Sequence, residues 1–115
     1  MTKKTLLLLL IVLLAPKAVT AQEICAVLSS DKTTLTFYYD TKKDSRSGTV
    51  YDNENAEFDG FTYPQWYASR ETVTTVVFHE SMKAARPYDT WSWFHHFEKL
   101  KTIQHLDYLD TSEVE

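Results

Sequence analysis

The chain has 115 residues and a formal net charge of −4, from 12 Lys and Arg residues against 16 Asp and Glu residues, with one cysteine. This length allows one small domain and excludes a two-domain enzyme. The acidic balance disfavours nucleic-acid binding, which depends on basic patches that contact phosphates. The single cysteine excludes an internal disulfide, so the domain must be held together by core packing.

The first 21 residues predict a secretory signal peptide. Lys3 and Lys4 precede an unbroken apolar run over residues 6–14, and a small-residue exit follows at residues 19–21. A membrane-spanning helix needs about 20 apolar residues, so this run is too short for one and fits the centre of a signal peptide. Cleavage after Ala21 removes three Lys residues and no acidic residue, which leaves 94 residues with a net charge of −7. We expect an exported protein, either secreted, held at the cell surface or retained in the periplasm.

The first part of the mature chain predicts a small β-sheet. Residues 24–28 form a short apolar run that includes Cys25, which we expect to be buried. Residues 34–39 alternate with the two-residue period of a strand, so the two segments are expected to pair as a hairpin. A polar loop follows and leads to a short return strand at residues 50–51. Residues 73–78 are apolar on both faces, which is typical of a central strand.

Two short helices are expected after this sheet. Ser81 begins a helical turn that ends before Pro87, because proline cannot continue a helix. Asp89 or Thr90 caps the second helix. Its spacing places three rings on one face, those of Trp93, Phe94 and Phe97. The polar residues His95, His96 and Glu98 are then left facing water.

An aromatic-rich segment lies between these predicted elements. Its rings belong to Phe58, Phe61, Tyr63, Trp66 and Tyr67. Two interpretations stay open: an exposed platform that binds a sugar or a peptide, or a set of rings that covers a core poor in Leu. Only five Leu residues follow the signal peptide, so we favour the second interpretation.

Apolar residues recur at every third position near the C-terminus: Phe97, Leu100, Ile103, Leu106 and Leu109. An α-helix turns by about 100° per residue, so these positions would sweep around about 240° and form no single face. A strand needs a spacing of two. The spacing therefore predicts a chain that bends repeatedly and turns an apolar residue inward after each short excursion, as in a solenoid.

Three blocks of the chain, in order, resemble one family of bacterial surface proteins. They are residues 35–40, residues 76–87 and the segment from Trp93 to Val114, whose pattern from Leu100 is L-x-x-I-x-x-L-x-x-L-D-T-S-x-V. The family is that of BspA-like leucine-rich repeat proteins. Together with the predicted elements, this resemblance implies an α+β fold in which a small β-sheet with two short helices leads into the first turn of a leucine-rich-repeat solenoid.

The resemblance also implies a division of the chain and a function. Residues 1–21 are the signal peptide, 22–88 an N-terminal β-rich capping region and 89–115 an incomplete first repeat, after which family members continue with further repeats. The implied repeat core is Trp93, Phe94, Phe97, Leu100, Ile103, Leu106, Leu109 and Val114. We therefore expect a non-enzymatic, adhesin-like module that binds another protein at a cell surface. It is either a truncated relative or a pre-repeat region that forms a small freestanding domain with its last apolar strip partly exposed.

Four histidines raise the alternative of a small secreted metal-dependent hydrolase: His79, His95, His96 and His105. They show neither H-x-x-x-H nor H-E-x-x-H spacing, and adjacent histidines would point about 100° apart on a helix. We expect no catalytic residue, no metal ligand and no cofactor, and the position of the ligand-binding residues is left open. A gene fragment without independent function is the remaining alternative.

Overall fold

The fold is built on a five-stranded mixed β-sheet. The computed structural model of the protein describes residues 21–87 and 89–112, and the predicted signal peptide up to residue 20 lies outside these ranges. Within them the strands are β1 (Glu23–Leu28), β2 (Thr34–Asp40), β3 (Thr49–Asp52), β4 (Asn55–Phe58), β5 (Phe61–Pro64), β6 (Thr75–Phe78) and β7 (Thr102–Gln104). The large sheet has the order β3-β1-β2-β6-β7, and β4 and β5 form a separate two-stranded hairpin.

One half of the sheet is antiparallel, as the alternating pattern predicts. β1 pairs with β2 in a register that runs from Glu23 opposite Asp40 to Leu28 opposite Leu35. β3 pairs with the other side of β1, also antiparallel. The predicted hairpin and the predicted return strand at residues 50–51 are both confirmed.

The other half of the sheet is parallel. β6 pairs with β2, and β7 pairs with β6, in both cases with the strands running in the same direction. β6 therefore has a strand on each side, as predicted for residues 73–78, although its paired part begins at Thr75. Parallel neighbours require a long crossover, and the crossover from β6 to β7 carries the aromatic segment 91–97 across the sheet.

The hydrophobic core lies on one face of this sheet. Every second residue of a strand points to the same face, and the buried members of this set are Ile24, Ala26, Leu28, Leu35, Phe37, Val76 and Phe78. Phe37 is at the centre, with its ring stacked on Trp93 at 5.2 Å between centroids and edge-on to Trp66 at 5.0 Å. The indole N–H of Trp66 donates a hydrogen bond of 2.7 Å to the carbonyl of Trp93. Aromatic rings thus provide much of the packing that Leu provides in other small domains.

The predicted α+β fold with two short helices and a solenoid turn is wrong. Across residues 21–87 and 89–112 the helical segments are short 3-10 turns, at Lys43–Ser45, Gln65–Ser69, Glu80–Ala84 and Leu106–Tyr108. The predicted second helix is a series of tight turns, because Ser92 and His96 have φ angles of +62° and +63°. A right-handed helix cannot include such residues. These turns let Trp93 and Phe97 enter the core from a non-helical segment.

The three-residue spacing does not produce a solenoid turn either. Phe97 is buried and Leu100 packs partly against the core, but Ile103 is 37% exposed and Leu106 is 53% exposed. The chain does bend, since His105 has a φ of +61° ahead of the last 3-10 turn. The bend occurs at the edge of the sheet, where no further layer of the described chain covers the apolar side chains.

Candidate functional site

The parallel edge of the sheet exposes apolar side chains. β7 is the last strand, and its Ile103 lies beside Val76 of β6 on the core face. Val76 is fully buried, whereas about a third of Ile103 and half of Leu106 are open to solvent. We call β7, which contains Ile103, together with Leu106 and Tyr108 the edge surface. The surface therefore lies next to the buried core residues, on a strand that pairs on one side only among the described residues.

The rim of the edge surface is polar. The ring of Tyr108 stacks on His105 with 4.6 Å between centroids, and the ammonium group of Lys83 lies 4.6 Å from the same tyrosine ring. The Nε atom of Arg86 forms an ion pair of 3.4 Å with Asp110. An apolar centre within a polar rim is the usual arrangement of a protein-binding surface.

The two edges of the sheet differ in how they are covered. At the β3 edge, the backbone N–H of Asp52 donates to the Oε1 atom of Gln65 at 2.9 Å, and the N–H of Gln65 donates to the carbonyl of Glu54 at 3.1 Å. The segment that contains Gln65 thus satisfies outward backbone groups beside β3. No described segment covers β7 in this way, so β7 is the open edge of the sheet.

The structure divides the predicted repeat-core residues into three groups. Trp93 and Phe97 are buried, and Phe94, Leu100 and Leu109 are half-buried against the core. Ile103 and Leu106 are exposed on the edge surface. Val114 lies outside the described residues. The C-terminal pattern therefore supplies both core residues and the apolar centre of the candidate site.

Trp91 is a second exposed feature, in the segment predicted to form the second helix. It is 73% exposed, more than any other large apolar side chain in the part of the chain that the structure describes. Its backbone N–H donates a hydrogen bond of 2.8 Å to the Oδ1 atom of Asp89. An Asp makes the same bond in a turn and at a helix N-cap, so this bond does not distinguish the two; the positive φ of Ser92 does.

Most of the aromatic-rich segment covers the core, in line with the favoured interpretation. Trp66 and Tyr67 are buried, and Tyr63 stacks on Tyr67 with 4.0 Å between centroids. The guanidinium group of Arg70 lies 4.2 Å from the centroid of Tyr67. Phe61, at the tip of the β4–β5 hairpin, is 65% exposed.

Two of the four histidines lie together and two lie elsewhere. The rings of His95 and His96 have 3.9 Å between centroids, because the segment is a turn and not the predicted helix. His96 is hydrogen-bonded through Nδ1 to the hydroxyl of Tyr67 at 2.8 Å, and His105 belongs to the rim of the edge surface. His79 accepts the backbone N–H of Ser81 at 3.1 Å, while the Oγ of Ser81 accepts the backbone N–H of Tyr39 at 3.0 Å. Among the described residues no group of three or more His, Cys, Asp or Glu side chains is placed to hold a metal ion.

Cys25 lies on the second face of the sheet, close to the ion pair of Arg46 and Asp40. The side chain is fully buried, and this burial raises the pKa of its thiol, although the nearby Arg46 acts in the opposite direction. Arg46 pairs with Asp40, and its guanidinium carbon lies 3.6 Å from the ring centroid of Tyr38. A buried thiol with a raised pKa is a poor nucleophile, so Cys25 has the packing role that its apolar surroundings predict.

The comparisons with known proteins add no assignment, since no family model, no curated protein and no solved structure matches the chain. In the described ranges, no helix has the length and apolar character needed to cross a membrane.

Proposed function

We propose that the mature chain is a non-enzymatic, exported protein-interaction module that binds an extended segment of a partner protein at the edge surface. The observation that carries this proposal is the open strand β7, in which Ile103 is exposed and after which Leu106 is exposed. The resemblance to BspA-like leucine-rich repeat surface proteins supports the same class of function, adhesion through a protein partner.

Strand addition explains how such a surface binds. An extended segment that lies along β7 satisfies its outward backbone N–H and C=O groups, which provides affinity with little dependence on sequence. Ile103 and Leu106 then select apolar side chains in the partner. Burial of the remaining exposed surface of these two side chains contributes on the order of 1 kcal/mol each.

The described titratable groups support binding without covalent chemistry. Cys25 is buried as a thiol, and the hydroxyl of Ser81 is used to hold the N–H of Tyr39. His95 and His96 are adjacent, with 3.9 Å between ring centroids, but among the described residues no third His, Cys, Asp or Glu side chain joins them in a possible metal site. This distribution favours an interaction module over the alternative of a metal-dependent hydrolase.

The proposal is tested with a library of random peptides of about seven residues, long enough to span an edge strand. The mature protein, residues 22–115, is used to select binders, and the affinity of one selected peptide is then measured by titration. We expect alternating apolar positions in the selected peptides. Leu106→Asp is expected to weaken binding by about tenfold or more, because it places a charge in the apolar centre.

Phe61→Asp is the matched control, since Phe61 is also exposed, at 65% against 53% for Leu106, but lies on the β4–β5 hairpin. It should leave the affinity unchanged. Backbone amide shifts in nuclear magnetic resonance spectra are expected to cluster at residues 101–109 when the peptide binds. If no peptide is selected, or if shifts and affinity losses fall elsewhere, strand addition at β7 is excluded.

A further inference from the structure

The turn at Trp91 presents one indole ring to solvent while its neighbours are buried. Trp91 is 73% exposed, whereas Trp66 is fully buried and Trp93 is 4% exposed. The contrast between Trp91 and Trp93 arises at Ser92, whose φ of +62° reverses the chain between them. A single exposed ring is not in itself a binding site, so its role depends on how this ring is held and on what lies beside it.

The backbone that carries Trp91 is fixed on both sides. The carboxylate of Asp89 accepts the N–H of Trp91 at 2.8 Å, and the N–H of Trp93 donates to the carbonyl of Thr90 at 3.2 Å. Trp93 is in turn anchored in the core, where its carbonyl accepts the indole N–H of Trp66 at 2.7 Å. The exposed ring is therefore presented by a preorganised turn, which lowers the entropic cost of binding a ligand.

A cleft of about 290 Å³ lies beside Trp91, between the turn and the loop that joins β3 to β4. Its polar lining consists of Asn53, Glu54, Asn55 and Asp89. Amide groups donate and accept hydrogen bonds and carboxylates accept them, so this wall offers both kinds of partner to a ligand with several hydroxyl groups.

The polar wall is also held in place. The N–H of Gln65 donates to the carbonyl of Glu54 at 3.1 Å, and the Oε1 atom of Gln65 accepts the N–H of Asp52 at 2.9 Å. Gln65 thus ties the loop to the segment that contains Trp66. A second cleft of about 420 Å³ is also lined by Trp91, together with Thr90, Ser92 and His95 among others. Trp91 thus lines both clefts.

We propose that Trp91 and the cleft beside it form a binding site for neutral pyranose units of a glycan. The C–H groups on one face of a pyranose ring pack on the indole, and its hydroxyl groups bond to Asn53, Asn55 and the carboxylates of Glu54 and Asp89. These carboxylates, in a mature chain with a net charge of −7, repel sialylated or sulfated sugars. The site uses none of the residues of the edge surface, so it is independent of the proposed protein interaction.

The polar wall favours a sugar over a proline-rich peptide. Grooves for proline-rich segments are lined by several aromatic side chains. The described lining of this cleft has two indoles, of which Trp93 is only 4% exposed, two prolines, and four amide or carboxylate side chains. A proline-rich peptide is therefore the competing ligand that the experiment must exclude.

The test uses intrinsic tryptophan fluorescence of the mature protein with defined probes: maltotriose, lactose, N,N′,N″-triacetylchitotriose, 3′-sialyllactose and a decaproline peptide. Because Trp66 and Trp93 are buried, acrylamide is expected to quench Trp91 selectively, and a bound sugar is expected to protect it. At least one neutral oligosaccharide should bind with a Kd at or below about 10 mM, a range set by the weak affinity of a shallow site. If lactose is that sugar, 3′-sialyllactose should bind more weakly.

Variants locate the site by titration calorimetry. Trp91→Ala and the double variant Asn53→Ala with Asn55→Ala are each expected to weaken sugar binding by about tenfold. Phe61→Ala, which removes a comparably exposed ring elsewhere, should leave it unchanged. The proposal is overturned if none of the neutral sugars binds the wild type, if binding is unchanged in Trp91→Ala, or if only decaproline binds in a manner that depends on Trp91.

Discussion

Val76 and Ile103 lie side by side in parallel strands, yet Val76 has no exposed surface and Ile103 is 37% exposed. The difference arises because β6 has a strand on both sides and β7 has one on a single side. Two aliphatic residues on one face of the sheet thus differ in role: Val76 stabilises the fold, and Ile103 lies in the surface proposed to bind a partner.

The first prediction compares the same hydroxyl group at these two positions. Val76→Thr is expected to lower the free energy of unfolding by about 2 kcal/mol, because it buries a hydroxyl group among apolar side chains. Ile103→Thr is expected to cost less than about 1 kcal/mol, since its hydroxyl reaches water. Urea unfolding of the mature protein measures both. Equal losses would show that β7 is covered in solution.

The second prediction concerns the turn at Ser92. Its φ of +62° is unfavourable for a β-branched residue, so Ser92→Val is expected to lower the free energy of unfolding by about 1–2 kcal/mol. Ser92→Gly should stay within about 0.5 kcal/mol of the wild type, because relief of strain is offset by greater freedom of the unfolded chain. Thermal unfolding followed by circular dichroism measures the effect. A tolerated valine would argue for a helical φ at this position.

The third prediction concerns the thiol of Cys25. Burial raises its pKa above the usual 9.0 in the folded protein, so its contribution to stability is fully present below about pH 9 and is lost as the pH rises through the folded-state value. The wild type should therefore lose more stability between about pH 8 and pH 10 than Cys25→Ala does. Urea unfolding across this range measures the difference. Identical pH profiles would mean that the thiol is not desolvated.

The fourth prediction concerns export. When the full chain is expressed in a bacterial host, the signal peptide is expected to be removed after Ala21, so the exported protein begins at Gln22. Edman degradation or intact mass spectrometry of the periplasmic and culture fractions identifies the first residue. Retention of the whole chain in the cytoplasm would contradict the export prediction.

The fifth prediction concerns metal. Purified mature protein is expected to retain less than about 0.1 zinc ion per chain after dialysis, and a chelator should leave its thermal unfolding unchanged, because a structural metal would stabilise the folded state. Metal analysis and calorimetry test both points. Stoichiometric zinc would favour the hydrolase alternative over an interaction module.

Local pattern was sufficient for β1, β2, β3 and β6 but not for β4, β5 and β7, and it wrongly predicted two helices. The alternation of Leu35, Phe37 and Tyr39 predicts β2 and its pairing with β1, since each residue there faces the side that its type requires. The spacing of Trp93, Phe94 and Phe97 fits one face of a helix, but the segment adopts a series of turns. The hydrogen bond from the Trp66 indole to the Trp93 carbonyl contributes to this outcome. It joins residues 27 positions apart, so the local sequence does not predict it.

The sequence by itself determined where β1 and β2 form, which of their side chains are apolar and that Cys25 is buried, because these properties follow from the two-residue period and from residue type. Only the tertiary structure decided that β6 and β7 pair in parallel, that Ile103 and Leu106 stay exposed and that Trp91 stands outside the core. Exposure depends on which segments cover a residue, and such cover comes from distant parts of the chain. The candidate sites therefore contain apolar residues whose exposure is set by long-range packing and is not predicted by the local pattern.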